Sequence, residues 1–132
     1  MRSTIDDLIS RRSIRKYTPC QITQEELDTV LLAGMYAPTA LNKQSPLIVA
    51  VQEKATRDKL SRLNGSVIPM GTPEDPFYGA PTVIVVFADS TFPNSVKDAS
   101  LVMGNLLNAA HAIGLGSCWI DRAYEVFQTP EG

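Results

Sequence analysis

Four of the twelve lysine and arginine residues of this chain lie within six consecutive positions, 11–16. This basic segment has the sequence RRSIRK. The guanidinium group of arginine donates paired hydrogen bonds that suit a phosphate, and the Ser13 hydroxyl adds another donor. The cluster therefore predicts a site for an anion. From composition alone, a solvated basic turn that pairs with Asp6 and Asp7 is an equally good interpretation.

A loop of compact side chains is the second candidate. This small-residue loop, residues 37–44, has the sequence APTALNKQ. Its small side chains would admit a flat ligand, with Asn42 and Gln44 as hydrogen-bonding residues. Loops of this composition are most often plain turns, so the pattern is weak by itself.

The cysteines and the histidine add no catalytic pattern. Cys20 and Cys118 are far apart and show no CxxC or Cys/His spacing, so neither a zinc site nor a disulfide framework is predicted. His111 is the only histidine. It lies in a largely apolar helical segment, where a packed or interfacial role is favoured over acid–base catalysis.

Composition narrows the class of protein. A chain of 132 residues with 44% hydrophobic and 20% charged residues is typical of one globular domain, residues 1–132. Its net charge of -2 gives no general attraction to nucleic acid or to an anionic membrane. We expect a cytoplasmic protein, because no signal-peptide core or membrane-spanning apolar run is seen and the cysteine usage fits a reducing compartment.

Two capping patterns predict the first two helices. Ser3, followed three residues later by Asp6, predicts the start of a helix that leads directly into the basic segment. Thr23 and Glu26 form a T-x-x-E capping box, which predicts a second helix ahead of the small-residue loop.

Hydrophobic spacing predicts two more helices. Residues 54–63 resemble a solvated helix with Leu60 and Leu63 as its anchors. Residues 96–113 form a helical pattern with Ser95 as the candidate cap. Because this last helix is apolar over most of its circumference, we expect it in the core or in a subunit interface.

Short apolar runs predict three strands, at residues 47–51, 82–88 and 117–120. Residues 65–79, which are rich in proline and glycine, predict a long loop. Long ordered loops are more often functional lids or dimer contacts than passive connectors.

Taken in order, RRSIRKY, APTALNKQ, TVIVVFA and NLLNAAHAIGLGSCWI resemble the motifs of the nitroreductase-like family of FMN-dependent oxidoreductases. The resemblance extends from about Ile5 to Tyr124. It implies an α+β fold in which a small, mainly antiparallel sheet is flanked by helices, in a homodimer whose FMN site is shared between subunits. It also implies a ping-pong reaction, in which NAD(P)H reduces FMN and a nitroaromatic, quinone or similar acceptor takes the electrons.

The resemblance also implies cofactor contacts in three segments. In the family, the first motif binds FMN, the second reaches it from the other subunit, and the third lies near the reactive N5 atom. The corresponding residues here are Arg11, Arg12, Ser13 and Arg15; Pro38, Thr39, Ala40 and Asn42; and Trp119, Ile120, Asp121 and Arg122. No side chain receives a catalytic role, because the flavin carries the chemistry.

The sequence departs from the family pattern in two places. Many relatives have glycine near Arg122, where the backbone approaches the flavin ring closely. Relatives also continue beyond the equivalent of Gly132, so we expect this chain to lack their usual C-terminal strand extension.

The alternative to an oxidoreductase is a non-catalytic flavin- or anion-binding regulatory module. The preference for NADH or NADPH has no signature here, because no acidic ribose-binding motif of the Rossmann type is present.

Overall fold

The structure, a computed structural model, describes residues 2–69 and 74–132. Its helices and strands follow the order α1 (Thr4–Ser10), α2 (Gln24–Met35), β1 (Leu47–Val51), α3 (Lys54–Ser66), β2 (Val83–Phe87), α4 (Ser95–Ala112) and α5 (Ala123–Phe127). A short 3-10 turn, Ala40–Asn42, lies between α2 and β1. No helix in these two ranges has the length and apolar character needed to cross a membrane.

The sheet has two antiparallel strands. Leu47 of β1 lies opposite Phe87 of β2, and Val51 lies opposite Val83. Both strands consist of aliphatic and aromatic residues, which favour the extended backbone and pack well on a pleated surface. The predicted α+β class, with a small antiparallel sheet flanked by helices, is confirmed, as are the strands predicted at 47–51 and 82–88.

The strand predicted at residues 117–120 is wrong. Ser117 forms an isolated parallel bridge with Ser13, and Ile14 N donates a hydrogen bond of 3.0 Å to Ser117 O. The following residues form no ladder, and the backbone reaches a left-handed conformation at Arg122, with φ of 82°. One bridge does not extend into a strand without further paired residues.

The predicted capping residues of α1 and α2 are confirmed. Ser3 and Asp6 form a reciprocal capping box at α1, and Thr23 and Glu26 form another at α2. The cap predicted for α4 is wrong by one position, because Ser95 is the first helical residue and Asn94 precedes it without a side-chain capping bond.

The core lies where α2 packs on α4 beneath the sheet. It contains Val30, Ala37, Val102, Leu106 and Ala110, with Ile48, Ile84, Val86 and Leu115 packed against it. Gly34 permits the close approach of these elements. A Cβ atom there would lie 2.6 Å from Leu106 Cδ2 and 3.0 Å from Ile48 Cδ1, so a larger residue would force these two side chains to shift.

Helix α3 differs from its prediction in its buried face. Leu60 and Leu63 are only half-buried, whereas the residues that are more than nine-tenths buried are Arg57, Ser61 and Asn64. Each of these polar side chains donates a hydrogen bond to another segment. The helix also continues to Ser66, so it includes the start of the loop predicted at 65–79, and positions 70–73 of that loop lie outside the described residues.

Candidate functional site

The basic segment follows α1 without a turn. Arg11 is the C-cap of α1, and its backbone N–H donates to Asp7 O. The Arg12 side chain folds back towards the end of α1. Its Nη1 donates to Ile9 O at 2.9 Å and to Arg11 O at 2.8 Å. A cation at a helix C-terminus is favoured by the negative end of the helix dipole. Arg12 is therefore engaged by the protein itself, whereas the exposed Arg15 forms no ion pair among the described residues.

The backbone bridge between Ser13 and Ser117 brings the first and third predicted segments together. Gly116 allows this contact, because a Cβ atom there would lie 3.1 Å from Ile14 Cβ. Tyr17 lies against the same segment, and its hydroxyl donates a hydrogen bond to Ile14 O. Burial raises the pKa of Tyr17 above its usual value.

Residues 119–122 continue from this bridge along the edge of an open cleft. The Trp119 side chain is 53% exposed, and Asp121 O accepts a hydrogen bond of 3.1 Å from Asn64 Nδ2. Arg122 has φ of 82° and ψ of 2°, the left-handed conformation that glycine adopts without strain. Arg122, near which the family resemblance implies a glycine, therefore adopts a backbone conformation that glycine favours.

The cleft has a volume of about 1040 Å³. This slightly exceeds the range of roughly 300–1,000 Å³ that is usual for small-molecule sites. Its lining combines β2, the inner side of α4 and residues 114–128, together with Tyr17 and Asn64. The surface is mostly apolar, so it suits a flat, largely apolar ring.

Only part of the predicted site lines this cleft. Trp119, Ile120, Asp121 and Arg122 do so, whereas Arg11, Arg12, Ser13 and Arg15 lie beside it and the residues of the small-residue loop are elsewhere. The single chain thus brings two of the three predicted segments together. His111 also lies outside the lining, and its Nε2 is 2.8 Å from Ser10 Oγ, which agrees with a packing role for this histidine between α1 and α4.

The small-residue loop lies against the start of α4. Ala40 N donates to Asp98 Oδ1 at 3.0 Å, and Gln44 N donates to Thr39 Oγ1 at 3.0 Å. Pro38 and Asn42 are exposed. The residues of this loop therefore do not line the cleft of their own chain.

Several buried polar atoms have no hydrogen-bond partner among the described residues. They include Ser117 Oγ and Asn64 Oδ1, whose residues line the cleft, and Arg11 Nη1, two positions ahead of Ser13. Leaving such an atom unpaired destabilises a fold by about 1–3 kcal/mol, so each needs an explanation. A polar ligand that binds beside the Ser13–Ser117 bridge would provide the missing partners. The atoms include a charged donor, a hydroxyl and a carbonyl acceptor, which fits the phosphate, hydroxyl and imide groups of FMN.

Sequence reasoning missed Asn64 and a polar cluster next to it. Arg57 Nη2 and Asp75 Oδ2 are 2.5 Å apart, Ser61 Oγ donates to Asp75 Oδ1 at 2.8 Å, and Arg57 lies 5.5 Å from the centre of the Phe77 ring. The spacing of positions 57, 61 and 64, which places them on one face of α3, could have indicated this cluster from the sequence. No group of three or more potential metal-binding side chains occurs in the part of the chain that the structure describes.

Comparison with known proteins extends these observations to nearly the whole chain. The family model described as "Nitroreductase family" matches residues 8–125. The chain is 33% identical over 127 residues to an Archaeoglobus fulgidus protein provisionally named NADH dehydrogenase/NAD(P)H nitroreductase, with 91% of this chain and 68% of that protein covered. It is 29% identical, over an alignment of 154 residues, to FMN reductase (NADPH) of Bacillus subtilis, with 99% of this chain and 61% of that protein covered.

A solved structure shows the same fold. The FMN-dependent nitroreductase from Clostridium difficile R20291 superposes with a TM-score of 0.79 at 36% identity, covering 87% of this chain and 58% of that one. The chain thus spans between 58% and 68% of the lengths of these three proteins.

Proposed function

Because this chain belongs to the nitroreductase family, we propose that it is an FMN-dependent NAD(P)H oxidoreductase. The match of the family model to residues 8–125 carries this proposal. It is supported by the relatives, one of which is an FMN reductase and another an FMN-dependent nitroreductase. Residues 1–132 form one domain of this type.

The residues present fit the cofactor. Arg11 and Ser117 have buried donors available beside the bridge that joins the first and third segments. Arg15 is exposed next to them and would add positive charge for the phosphate, since charge-assisted hydrogen bonds are the stronger ones. The Asn64 side chain holds Asp121 O with its amide nitrogen and keeps its oxygen free for a donor.

The protein's part in the reaction is to bind and to orient. FMN, when bound, would supply the redox chemistry by accepting a hydride from NAD(P)H and then passing electrons to a nitroaromatic, quinone or similar acceptor in a ping-pong sequence. The apolar walls of β2 and α4 would exclude water from the ring. Trp119, which is half exposed at the mouth, would contact the flat substrates. We place this activity in the cytoplasm.

An anaerobic titration with NAD(P)H tests this function against the alternative of a non-catalytic flavin- or anion-binding regulatory module. The purified protein should be yellow, and its absorbance near the flavin maximum should bleach with NADH or NADPH. A yellow protein that bleaches with dithionite but with neither nucleotide would contradict the oxidoreductase and favour the binding module. A protein that binds no FMN would contradict the oxidoreductase and a flavin-binding module, and would favour an anion-binding module.

Arg15→Ala should weaken FMN binding by roughly ten- to a hundred-fold, because a charge-assisted contact contributes about 1.5–3 kcal/mol. Flavin fluorescence titration measures the dissociation constant. Arg62→Ala is the matched control, since Arg62 is another exposed arginine on a different element, α3. An unchanged dissociation constant for Arg15→Ala would remove Arg15 from the site.

We also propose that the protein is a homodimer with the FMN site shared between subunits. Ile5 and Ile9 of α1 and Val96 and Leu101 of α4 are 50–71% exposed, and a subunit interface on these two helices would bury this apolar surface. Light scattering should give twice the 14.4 kDa mass of the chain. A stable, flavin-loaded monomer at micromolar concentration would contradict both the dimer and the shared site.

A further inference from the structure

The small-residue loop has an unusual backbone. Leu41, Asn42 and Gln44 have φ values of 54°, 53° and 53°, in the left-handed region that non-glycine residues rarely adopt. The Leu41 side chain is 88% exposed, so packing of this side chain does not hold the conformation. A strained conformation persists only where neighbouring structure imposes it.

Most hydrogen bonds of the loop stay within it. Asn42 N donates to Thr39 O and Lys43 N to Ala40 O, while Gln44 N donates to Thr39 Oγ1. The bond from Ala40 N to Asp98 Oδ1, at 3.0 Å, connects the loop to a residue 58 positions away. Among the described residues, this is the one hydrogen bond that joins residues 39–44 to another element.

Asp98 is buried in an unusual way. It is 4% exposed and forms no ion pair among the described residues. A buried carboxylate is unfavourable unless donors or charges compensate it. Its position in the first turn of α4 places it at the positive end of that helix, and Ala40 N provides a directed donor.

A second polar anchor lies two turns further along α4. Asn105 Nδ2 donates to Ala33 O at 2.9 Å, near the end of α2. Positions 98 and 105 are seven residues apart and therefore lie on one face of the helix, on either side of the buried Val102. Helix α4 thus holds the chain at residue 33, ahead of the loop, and at residue 40, within it.

From this arrangement we infer that Asp98 is a positioning residue, which sets the conformation of the small-residue loop so that the loop meets the flavin in its functional shape. The inference rests on the proposed function for the flavin itself, but the hold of Asp98 on the loop is a property of the protein without cofactor.

Three variants test the inference. Asp98→Ala removes the acceptor, whereas Asp98→Asn keeps an oxygen that can still accept from Ala40 N. Val102→Ala is the control, because it loosens the packing of the same face of α4 one turn away while leaving the carboxylate in place. The first readout is amide hydrogen exchange at Ala40 and Gln44 in the flavin-free protein, relative to the slowest amides of α4. The second is the FMN dissociation constant.

In Asp98→Ala we expect exchange at Ala40 to rise by about tenfold or more and FMN to bind about tenfold more weakly. In Asp98→Asn both values should return to within a few-fold of the wild type, which general destabilisation would not produce. Unchanged exchange in Asp98→Ala, an equal rise in Val102→Ala, or unchanged FMN affinity despite faster exchange would each overturn the inference. If Asp98→Ala does not fold, a tenfold rise in exchange in Asp98→Asn would likewise overturn it.

The two proposals can fail separately. If the wild type binds no FMN, the proposed function is wrong, whereas the exchange data still decide whether Asp98 holds the loop. If the wild type binds FMN and bleaches with NAD(P)H while Ala40 exchange is the same in all variants, the function stands and the role of Asp98 is wrong.

Discussion

Replacing Asp75 with asparagine should lower the free energy of unfolding at pH 7 by about 2–3 kcal/mol. Asp75 pairs with Arg57, whose side chain is 10% exposed, and its own side chain is 28% exposed. It also accepts hydrogen bonds from Ser61 Oγ and from the backbone N–H groups of Phe77 and Gly79. Asparagine leaves the Arg57 charge largely buried without its main partner, which is the costly way to break an ion pair.

The decrease in the free energy of unfolding caused by Asp75→Asn should depend on pH. Burial by itself would raise the pKa of Asp75, but the hydrogen bonds from Arg57, Ser61 and the two backbone N–H groups lower it to about 2. Because the folded-state pKa lies below the value of about 3.9 in an unfolded chain, the carboxylate stabilises the fold fully above about pH 4. That contribution is lost as the pH falls towards 2.

Urea unfolding at a series of pH values between 7 and 3 measures both effects. The difference in stability between wild type and Asp75→Asn should be largest near pH 7 and should shrink below about pH 4. Lys54→Ala is the control, because the Lys54–Asp58 pair is also 2.5 Å long but the lysine is 87% exposed, and such pairs contribute about 0.5 kcal/mol or less. Equal losses in the two variants, or a difference that does not change with pH, would contradict this account of the cluster.

Local sequence signals predicted the fold well where the deciding interactions are local. The capping boxes of α1 and α2 involve residues three positions apart, so the sequence contains the whole interaction. The two apolar runs that form β1 and β2 were equally clear. The third predicted strand failed because strand formation depends on a partner, and within residues 2–69 and 74–132 Ser117 has only Ser13 as its bridge partner.

The site was predicted less completely because its contacts are distant in sequence. Motif resemblance indicated the three segments, and the bridge at Ser117 joins two of them. Asn64 and Asp121 are 57 positions apart, and Asp98 is 58 positions from Ala40. Hydrophobic patterning does not register such polar pairs, since a buried asparagine or aspartate looks in the sequence like a solvent-exposed one.

Thr39→Trp should abolish most FMN binding and NAD(P)H oxidation while leaving the protein folded. Residues 37–40 are four compact residues in a row, and the proposed shared site places a planar ring against this loop in the dimer. An indole in a close-packed slot forces displacement that destabilises the complex by about 1–3 kcal/mol. This corresponds to roughly a five- to a hundred-fold loss of affinity.

The structure requires one control for this variant. Thr39 Oγ1 accepts the hydrogen bond from Gln44 N, so any substitution that removes the hydroxyl also loosens the loop. Thr39→Val has nearly the shape of threonine and lacks only this acceptor, at an expected stability cost of about 1 kcal/mol. Thr39→Val should therefore keep most of its FMN, and the difference between the valine and tryptophan variants isolates the effect of bulk.

Melting temperatures without flavin, FMN content and NAD(P)H oxidation rates distinguish the outcomes. If the loop lines the site, the two variants should melt within a few degrees of each other, and only the tryptophan variant should lose flavin and turnover. A solvent-exposed turn would tolerate the indole, because surface substitutions usually change stability by no more than about 0.5 kcal/mol. Wild-type flavin content and turnover in Thr39→Trp would therefore show that the loop lies outside the site, and the assignment of Pro38, Thr39, Ala40 and Asn42 to FMN binding would have to be withdrawn.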